Sequence, residues 1–346
     1  INSSAGGIAG SSRVVMRGSK SLFGNNNALY VVDGIPLPSL TTTQPNDIFT
    51  GSGVSGDGIS NINPDDIASV SVLTGPAAAA LYGSAAANGV ILVTTRKGEK
   101  GKLNLSVTNT TNFFSPFVLP RFQNTYGSDE GNFYSWGAKL DKPTDYDPAD
   151  FFQTGINVMN SISLSTGTDK NQSYFSAAST NAKGIIMNNK LNRYNFSIRN
   201  TASLLDDRLN LDLSLMYITL QEQNMLSQGQ YFNPLVPVYL FPRGDDIEKY
   251  KIYERYNPSR NFKTQFWPFG DMGFQMQNPY WITQRDMFNN DKERYLMSAG
   301  LKYTLNDWIN ITGRVKYDRN TTIAEKRFYA STAGLFASDA GAYHHN

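Results

Sequence analysis

The chain has 346 residues, 40% of them hydrophobic, with 31 basic and 29 acidic side chains, a formal charge of +2 and no cysteine. This composition is too apolar for a disordered chain, lacks the basic excess of a nucleic-acid binder, and excludes disulfides, thiolate metal sites and cysteine nucleophiles. The longest apolar runs, such as Ala77 to Tyr82 and Val90 to Val93, fall far below the roughly 18 residues of a membrane-spanning helix, leaving a globular or a β-membrane protein. The opening Ile1, Asn2, Ser3 has no basic, apolar or cleavage pattern of a signal peptide, so the chain reads as already truncated.

Residues 1 to about 100 are Gly-rich and broken into short β-branched runs, predicting strands near Arg13 to Arg17, Ala28 to Val32, Ser69 to Leu73 and Gly89 to Arg96. Asp33-Gly34, after Leu29-Tyr30-Val31-Val32, is a tight-turn signal because both residues tolerate positive φ. Pro64-Asp65-Asp66 predicts a helical turn capped by its carboxylates. Thr74-Gly75-Pro76, four alanines, Leu81, Tyr82 and Gly83 predict a two-turn helix, with Pro in its first turn and Gly just past its end. Together these elements make a small mixed α/β unit, closed by the polar hinge Lys97-Gly98-Glu99-Lys100-Gly101.

From Lys102 onward the pattern alternates with period two. In the stretch from Arg208 to Leu220, Leu209, Leu211, Leu213, Leu215 and Tyr217 oppose Asn210, Asp212 and Ser214. From Trp308 to Arg319, Ile309, Ile311, Val315 and Tyr317 oppose Asn310, Thr312, Arg314, Lys316 and Asp318. Tyr194, Phe196 and Ile198 against Asn195, Ser197 and Arg199, and Tyr295 to Tyr303 against Arg294, Ser298 and Lys302, repeat the scheme.

Alternation alone also fits a soluble sheet with one wet face, but the connections favour another reading. Strands are expected near 102–113, 157–167, 172–181, 192–204, 208–220, 292–304 and 308–320. Their links alternate longer (113–156 long, 182–191 medium, 221–291 very long) with short (168–171, 205–207, 305–307). Tight turns at one end and long loops at the other are the pattern of an outer-membrane β-barrel, and Trp308, Tyr194, Tyr217 and Tyr317 near strand ends suit its aromatic girdles. A basic side chain facing lipid at the midplane costs roughly 2 to 4 kcal/mol, which fixes the parity. Asn210, Asp212, Arg199, Arg314 and Lys316 belong in the lumen. Seven strands leave open edges that lipid does not tolerate, and plugged transporters use about 22, so much of the barrel lies outside this sequence.

Several blocks resemble the SusC/RagA family of TonB-dependent transporters: Met16-Arg17-Gly18-Ser19, Leu29-Tyr30-Val31-Val32-Asp33-Gly34-Ile35-Pro36, Ile62-Asn63-Pro64-Asp65-Asp66-Ile67, Val72-Leu73-Thr74-Gly75, Ala80-Leu81-Tyr82-Gly83-Ser84 and Ala87-Asn88-Gly89-Val90 through Thr95. Phe122-Gln123-Asn124-Thr125-Tyr126-Gly127, Ser135-Trp136-Gly137, Asn278-Pro279-Tyr280-Trp281 and Asp307-Trp308 extend the resemblance over nearly the whole chain, while Thr74-Gly75-Pro76-Ala77 departs from the Lys-Asp-Ala-Ser-like step of many members. The resemblance implies a mainly β fold: a plug domain over 1–100, then the first strands and extracellular loops of a barrel over 101–346. It implies import of a glycan or peptide across the outer membrane of a Gram-negative, Bacteroidetes-like bacterium, with a SusD-like surface lipoprotein as lid. TonB would pull on a segment absent from this chain. Arg17, Gly18, Asp33, Gly34, Gly83, Asn88 and Gly89 would be plug architecture. The alternative is a SusC-like barrel that scaffolds a larger outer-membrane complex.

Other motifs carry little. Gly51-Ser52-Gly53-Val54-Ser55-Gly56 spells the dinucleotide fingerprint but sits between neither strand nor helix, so it reads as a plug loop. His344 and His345 have no third ligand nearby, and Asp206-Asp207 fills a tight turn, so no metal, cofactor or enzymatic site is expected. Trp136, Trp267, Tyr280, Trp281 and Arg285 in the long loops are candidate contacts to substrate or partner, with packing inside the loops as the competing role.

Overall fold

The computed structural model describes residues 2–3, 7–9, 12–16, 18, 26–37, 58–74, 76–129, 132, 134–227, 229–269 and 276–346. Arg17, Gly75 and the glycine-rich run 51–56 lie outside the described residues.

The N-terminal unit begins with two-residue strands β1 (Asn2–Ser3) and β2 (Ser12–Arg13), paired antiparallel. Its main sheet has four strands, β3 (Leu29–Val32), β4 (Ile35–Leu37), β5 (Ile67–Leu73) and β6 (Val90–Thr95), in the order β4-β3-β6-β5. The β3–β4 turn is Asp33-Gly34 with φ of 46° and 80°, the two positive values that a two-residue turn needs to match the twist of its strands. A residue with a Cβ in place of Gly34 would also meet Lys316, whose Nζ would lie 2.7 Å from that carbon. Helix α1 (Pro76–Tyr82) links β5 to β6 and ends at Gly83, φ 67°. The turn Pro64–Asp66 is capped by Asn63, whose side chain accepts from the Asp65 N–H, and not by the aspartates; Asp66 points elsewhere and is buried.

The second unit is one eight-stranded antiparallel meander in the order β16-β15-β14-β11-β10-β9-β8-β7. Its strands are β7 (Gly101–Phe114), β8 (Gly155–Gly167), β9 (Asn171–Lys183), β10 (Lys190–Leu204), β11 (Leu209–Gln223), β14 (Asp286–Thr304), β15 (Asn310–Phe328) and β16 (Ala342–His345). All seven expected strands form, and β16 is an eighth. The sheet is open, with β7 and β16 as its edges. Both β14 and β15 reach 19 residues, longer than expected at their long-loop ends, where sequence alternation fades. Leu205, Asp206 and Asp207 all take positive φ in the short turn between β10 and β11.

The alternation is inside-out. Along β10, Asn195, Ser197 and Arg199 are buried while Tyr194, Phe196 and Ile198 are exposed. Along β14, Lys292 and Arg294 are buried, and Met297 and Leu301 are exposed. A soluble sheet buries its apolar face; a membrane barrel turns that face to lipid and encloses the polar one. Phe196, Tyr217 and Tyr295 stand in register on the outer face of β10, β11 and β14, with ring centroids 6.4 Å apart in the first pair, which is stacked, and 4.8 Å in the second, which is tilted. No helix among the described residues is long and apolar enough to cross a membrane.

The long connection between β11 and β14 folds on itself, with α2 (Leu235–Leu240), the hairpin β12 (Glu254–Asn257)–β13 (Phe262–Gln265), and α3 (Pro279–Arg285). Its core gathers Phe151, Val238, Phe241, Ile247, Tyr250, Trp267 and Tyr280. Such a core explains why a connection of this length is ordered, since a structureless one would be anomalous. The 115–154 connection joins it through Tyr146, whose hydroxyl donates to the Val238 carbonyl (2.6 Å), and through Arg243, whose guanidinium stacks over Phe122 and Tyr146 at 4.7 and 4.9 Å. Burial pushes the Tyr146 phenol well above its ordinary value.

Candidate functional site at the plug–wall junction

The polar inner face of the large sheet is where the small unit sits. Three wall side chains that break the polar pattern, Met216, Ile218 and Leu296, join Ala28, Val32, Ile35, Leu37, Ile62, Ile91 and Val93 in one buried cluster. Around this apolar contact, polar groups of the wall meet the turns of the small unit.

Arg199 is the centre of the first group. It is 8% exposed and makes a two-pronged contact with Asp212 on the neighbouring strand, Nε to Oδ1 at 3.0 Å and Nη2 to Oδ2 at 2.8 Å. Its Nη1 donates to the Thr95 hydroxyl (2.9 Å) and carbonyl (3.3 Å) and lies 3.3 Å from Asp33 Oδ1. Asp33 in turn accepts the Thr95 N–H (3.0 Å) and hydroxyl (2.5 Å), so the turn residue also clasps the end of β6. Lys316 Nζ donates to the Gly34 carbonyl. One guanidinium thus ties two wall strands to both the hairpin and β6 of the small unit, which a planar fork of five donors allows.

Asp66 is the centre of the second. It is 1% exposed, and its two oxygens accept from the Tyr174 hydroxyl (2.9 Å) and the Ser197 hydroxyl (3.0 Å). Nearby, Asn195 donates to the Asn61 carbonyl (2.6 Å), Asn63 to the Ser161 hydroxyl (3.2 Å), and Arg193 to the Ser60 carbonyl. Two further wall pairs lie towards the long loops: Lys292–Glu222 at 2.8 Å and the fork–fork pair Arg294–Asp318 at 2.6 Å. The arrangement has no nucleophile–base pair, and no cluster of metal-ligating side chains occurs among the described residues. What it can do is hold a separate small domain inside a polar channel by many contacts, each individually breakable.

Comparison with known proteins agrees. Residues 1–90 match the family model of the TonB-dependent receptor plug domain. The TonB-dependent receptor SusC of Bacteroides thetaiotaomicron is 26% identical over 298 residues, 81% of this chain and 28% of SusC. The chain is similar to the TonB-dependent receptors of the SusC/RagA kind, with the plug-domain match at its N-terminal part. A TonB-dependent receptor of Formosa agariphila is 28% identical over 246 residues, 66% of this chain and 21% of that protein. The RagAB peptide importer in its open-open state superposes with a TM-score of 0.66 at 16% identity, covering 95% of this chain and 38% of that one, which supports the fold. The chain therefore spans well under half the length of the SusC/RagA relatives it matches. Those relatives are TonB-dependent receptors and transporters, and the likeness to them, with the inside-out sheet, supports an outer-membrane location. In a barrel of this kind short turns mark the periplasmic end and long loops the extracellular end.

The plug positions singled out in sequence fall in turns. Asp33 and Gly34 make the wall-facing hairpin described above. Gly18 and Gly83 take φ of 86° and 67° with open space around them. Asn88 and Gly89 form the turn into β6, where Gly89 (φ 98°) accepts the Leu29 N–H; a Cβ there would lie 2.5 Å from the Met16 sulfur.

The loop candidates separate. Trp267, Tyr280 and Trp281 are 5%, 4% and 1% exposed, packed inside the 224–285 connection, with the Trp281 indole donating to Thr332 (3.4 Å). Burial raises the Tyr280 phenol. Arg285 makes a two-pronged contact with Glu254 at 2.8 and 2.9 Å and stacks on Tyr329 at 4.8 Å. Burial works to raise the Glu254 carboxyl, but its hydrogen bonds from Lys263 and Arg285 outweigh it and hold the group below its ordinary value. Trp136 alone stands in the open, 74% exposed and stacked on Tyr134 at 4.5 Å. Sequence reasoning missed Asp66, Tyr174 and Ser197 as a junction, since their separation along the chain leaves no local signal.

Proposed function

We propose that the protein imports a large nutrient, a glycan or peptide, across the outer membrane of a Gram-negative, Bacteroidetes-like bacterium. In this reading residues 1–100 act as the plug and 101–346 as the first strands and extracellular loops of the barrel. A SusD-like surface lipoprotein closes the extracellular side, and TonB supplies energy through a segment outside this chain.

The observation that carries the reading is the seat of the plug. A purely structural barrel has no need of a lumen filled by a separate domain, and a plug meant to stay would be held by a broad apolar core. Here one apolar cluster with three wall residues, and a smaller patch where Ile8 packs against Ala182, Leu191, Leu220 and Met225, are bordered by hydrogen bonds and ion pairs. These exchange for water one at a time, each at a net cost of about 1–3 kcal/mol. Trp136 and Tyr134 offer exposed ring faces on the extracellular side for a sugar ring or a partner surface.

The test locks the plug. Cysteines placed at Asn63 and Ser161, whose side chains meet at 3.2 Å across the junction, are joined in the full-length protein by an oxidant in living cells, and uptake of a mixture of labelled peptides and oligosaccharides is followed. Uptake should stop on oxidation and return on reduction. Uptake unchanged by the cross-link, or co-purification of envelope-assembly components in place of a lidding lipoprotein, would favour the scaffold.

A further inference from the structure

Below the hairpin, at the short-turn end of the wall, lies a cavity of about 340 Å³ that borders the plug seat at Asp212. It lies between the plug's exit hinge, the short β8–β9 turn and the inner faces of β11, β14 and β15. Its size is that of a small-ligand pocket. Four cationic side chains line it, Lys97, Lys170, Lys302 and Arg314, against two acidic ones, Asp169 and Asp212.

The acids are already engaged: Asp169 pairs with Lys100 at 2.5 Å, and Asp212 receives the Arg199 fork with Lys97 at 3.7 Å. Lys170 lies 3.6 Å from Asp206. Among the described residues, neither Lys302 nor Arg314 makes an ion pair within 4 Å, and the Arg314 charge reaches Asp212, which the Arg199 fork already holds. They sit on adjacent strands, where Lys302 pairs with Thr312 and Gly300 with Arg314, so both project from the same inner face. Gly300 leaves the room for this: a Cβ there would lie 3.4 Å from Arg314 Nε. Lining hydroxyl and amide groups, Thr201, Thr312, Gln172 and Asn210, add neutral hydrogen-bonding capacity.

We propose that Lys302 and Arg314, with Lys97 at the rim, form an anion-binding site at the periplasmic mouth of the lumen that takes carboxylate, sulfate or phosphate groups of the transported solute. The assignment to solute rests on the import reading; the site itself does not. An excess of cations facing a water-filled path attracts anions entering it and repels cationic ones. The guanidinium fork supplies directional donors and the ammonium a mobile charge.

The full-length protein in detergent is titrated with inorganic pyrophosphate at low ionic strength, as wild type, K302Q/R314Q and the exposed-loop control K139Q. Wild type and K139Q should bind, and the double variant should bind at least about tenfold more weakly, since each lost charge-assisted hydrogen bond is worth that much or more. No binding by wild type, or equal binding by the double variant, would overturn the site. R314K/K302R, which keeps both charges, guards against misfolding and should restore binding to within a few-fold of wild type. Cells are then offered a mixture of neutral and acidic peptides and oligosaccharides. K302Q/R314Q should slow depletion of the acidic members several-fold while sparing the neutral ones. Equal slowing of both, or of neither, would remove the solute role, and failure of wild type to deplete any of them would count against import while the pyrophosphate result still decides the site.

Discussion

Removing the Arg199 guanidinium should loosen the plug more than the wall. In Arg199→Ala the Asp33 and Asp212 carboxylates, 14% and 26% exposed, lose the cation between them, and the Thr95 hydroxyl loses its donor. Breaking a buried pair by deleting one partner costs about 3–5 kcal/mol. Water reaching the partly exposed acids should hold the cost near the low end, about 3 kcal/mol, which is on the order of a hundredfold in the opening equilibrium of the plug sheet at ~1.4 kcal/mol per tenfold. Hydrogen exchange reads this directly. The Asp33 N–H bonded to Val93 and the Leu29 N–H bonded to Gly89 should exchange about a hundredfold faster. The 15-pair ladder between β10 and β11 should change little, since its backbone bonds are untouched. Arg199→Lys keeps the charge without the fork and should fall between. The reasoning fails if plug amides stay at wild-type rates while β10 and β11 accelerate, because Arg199 would then brace Asp212 within the wall and do nothing for the plug.

Three other perturbations follow from the same contacts. Tyr174→Phe removes one of the two hydroxyls on the buried Asp66 and should cost about 1–3 kcal/mol of plug seating, seen as faster proteolysis around residues 60–66 with barrel assembly intact. Trp281→Ala empties a site 1% exposed and should cost about 3–5 kcal/mol of loop stability, lowering the melting temperature of the extracellular cap in near-ultraviolet dichroism; an unchanged cap would show that α3 contributes no core. Asp286 lies at the extracellular end of β14, a strand far longer than the roughly 10 residues needed to span a membrane, and is buried against Gln277 and Thr332. Burial pushes its carboxyl from 3.8 to about 7 against the pull of those two hydrogen bonds. Because the folded cap holds this proton more tightly than the unfolded one, stability is greatest below pH 4 and declines as pH rises through 7. The full span is on the order of 4 kcal/mol. Asp286→Asn should flatten that dependence, and a variant as pH-sensitive as wild type would refute the assignment.

The wall was legible in sequence because its rules are local. Side chains two apart share a face, and placing Arg314 and Lys316 in lipid costs too much, so parity follows from a single strand at a time. The same logic gave the Asp33-Gly34 hairpin and the helix from Pro76, each encoded in consecutive residues. Where the rule weakens, so does the reading. At the extracellular ends of β14 and β15 neither face meets lipid, alternation is no longer enforced, and both strands run past their expected bounds. The loop core was illegible for the same reason. Trp267 and Trp281 give no sign in sequence of facing inward or outward, because connections without a period leave no register to read.

The plug seat required partners far apart in the chain: Asp66 meets Tyr174 across 108 positions and Arg199 meets Thr95 across 104. One signal was nonetheless present. In β11 the inward positions pass from Asn210, Asp212 and Ser214 to Met216, Ile218 and Leu220, so that both faces become apolar partway along a strand whose lumen should be wet. Leu296 does the same on β14, one strand away. Apolar side chains on a channel-facing register lose the hydrophobic stabilisation of about 1.5–3 kcal/mol each unless something dry covers them. Their positions mark where a second domain must lie against the wall, and Met216, Ile218 and Leu296 do meet the plug there. Read this way, interruptions of the polar inner pattern locate the plug's footprint from the barrel sequence alone, while an unbroken polar stretch such as Thr312, Arg314 and Lys316 touches the plug through polar contact, Lys316 donating to the Gly34 carbonyl.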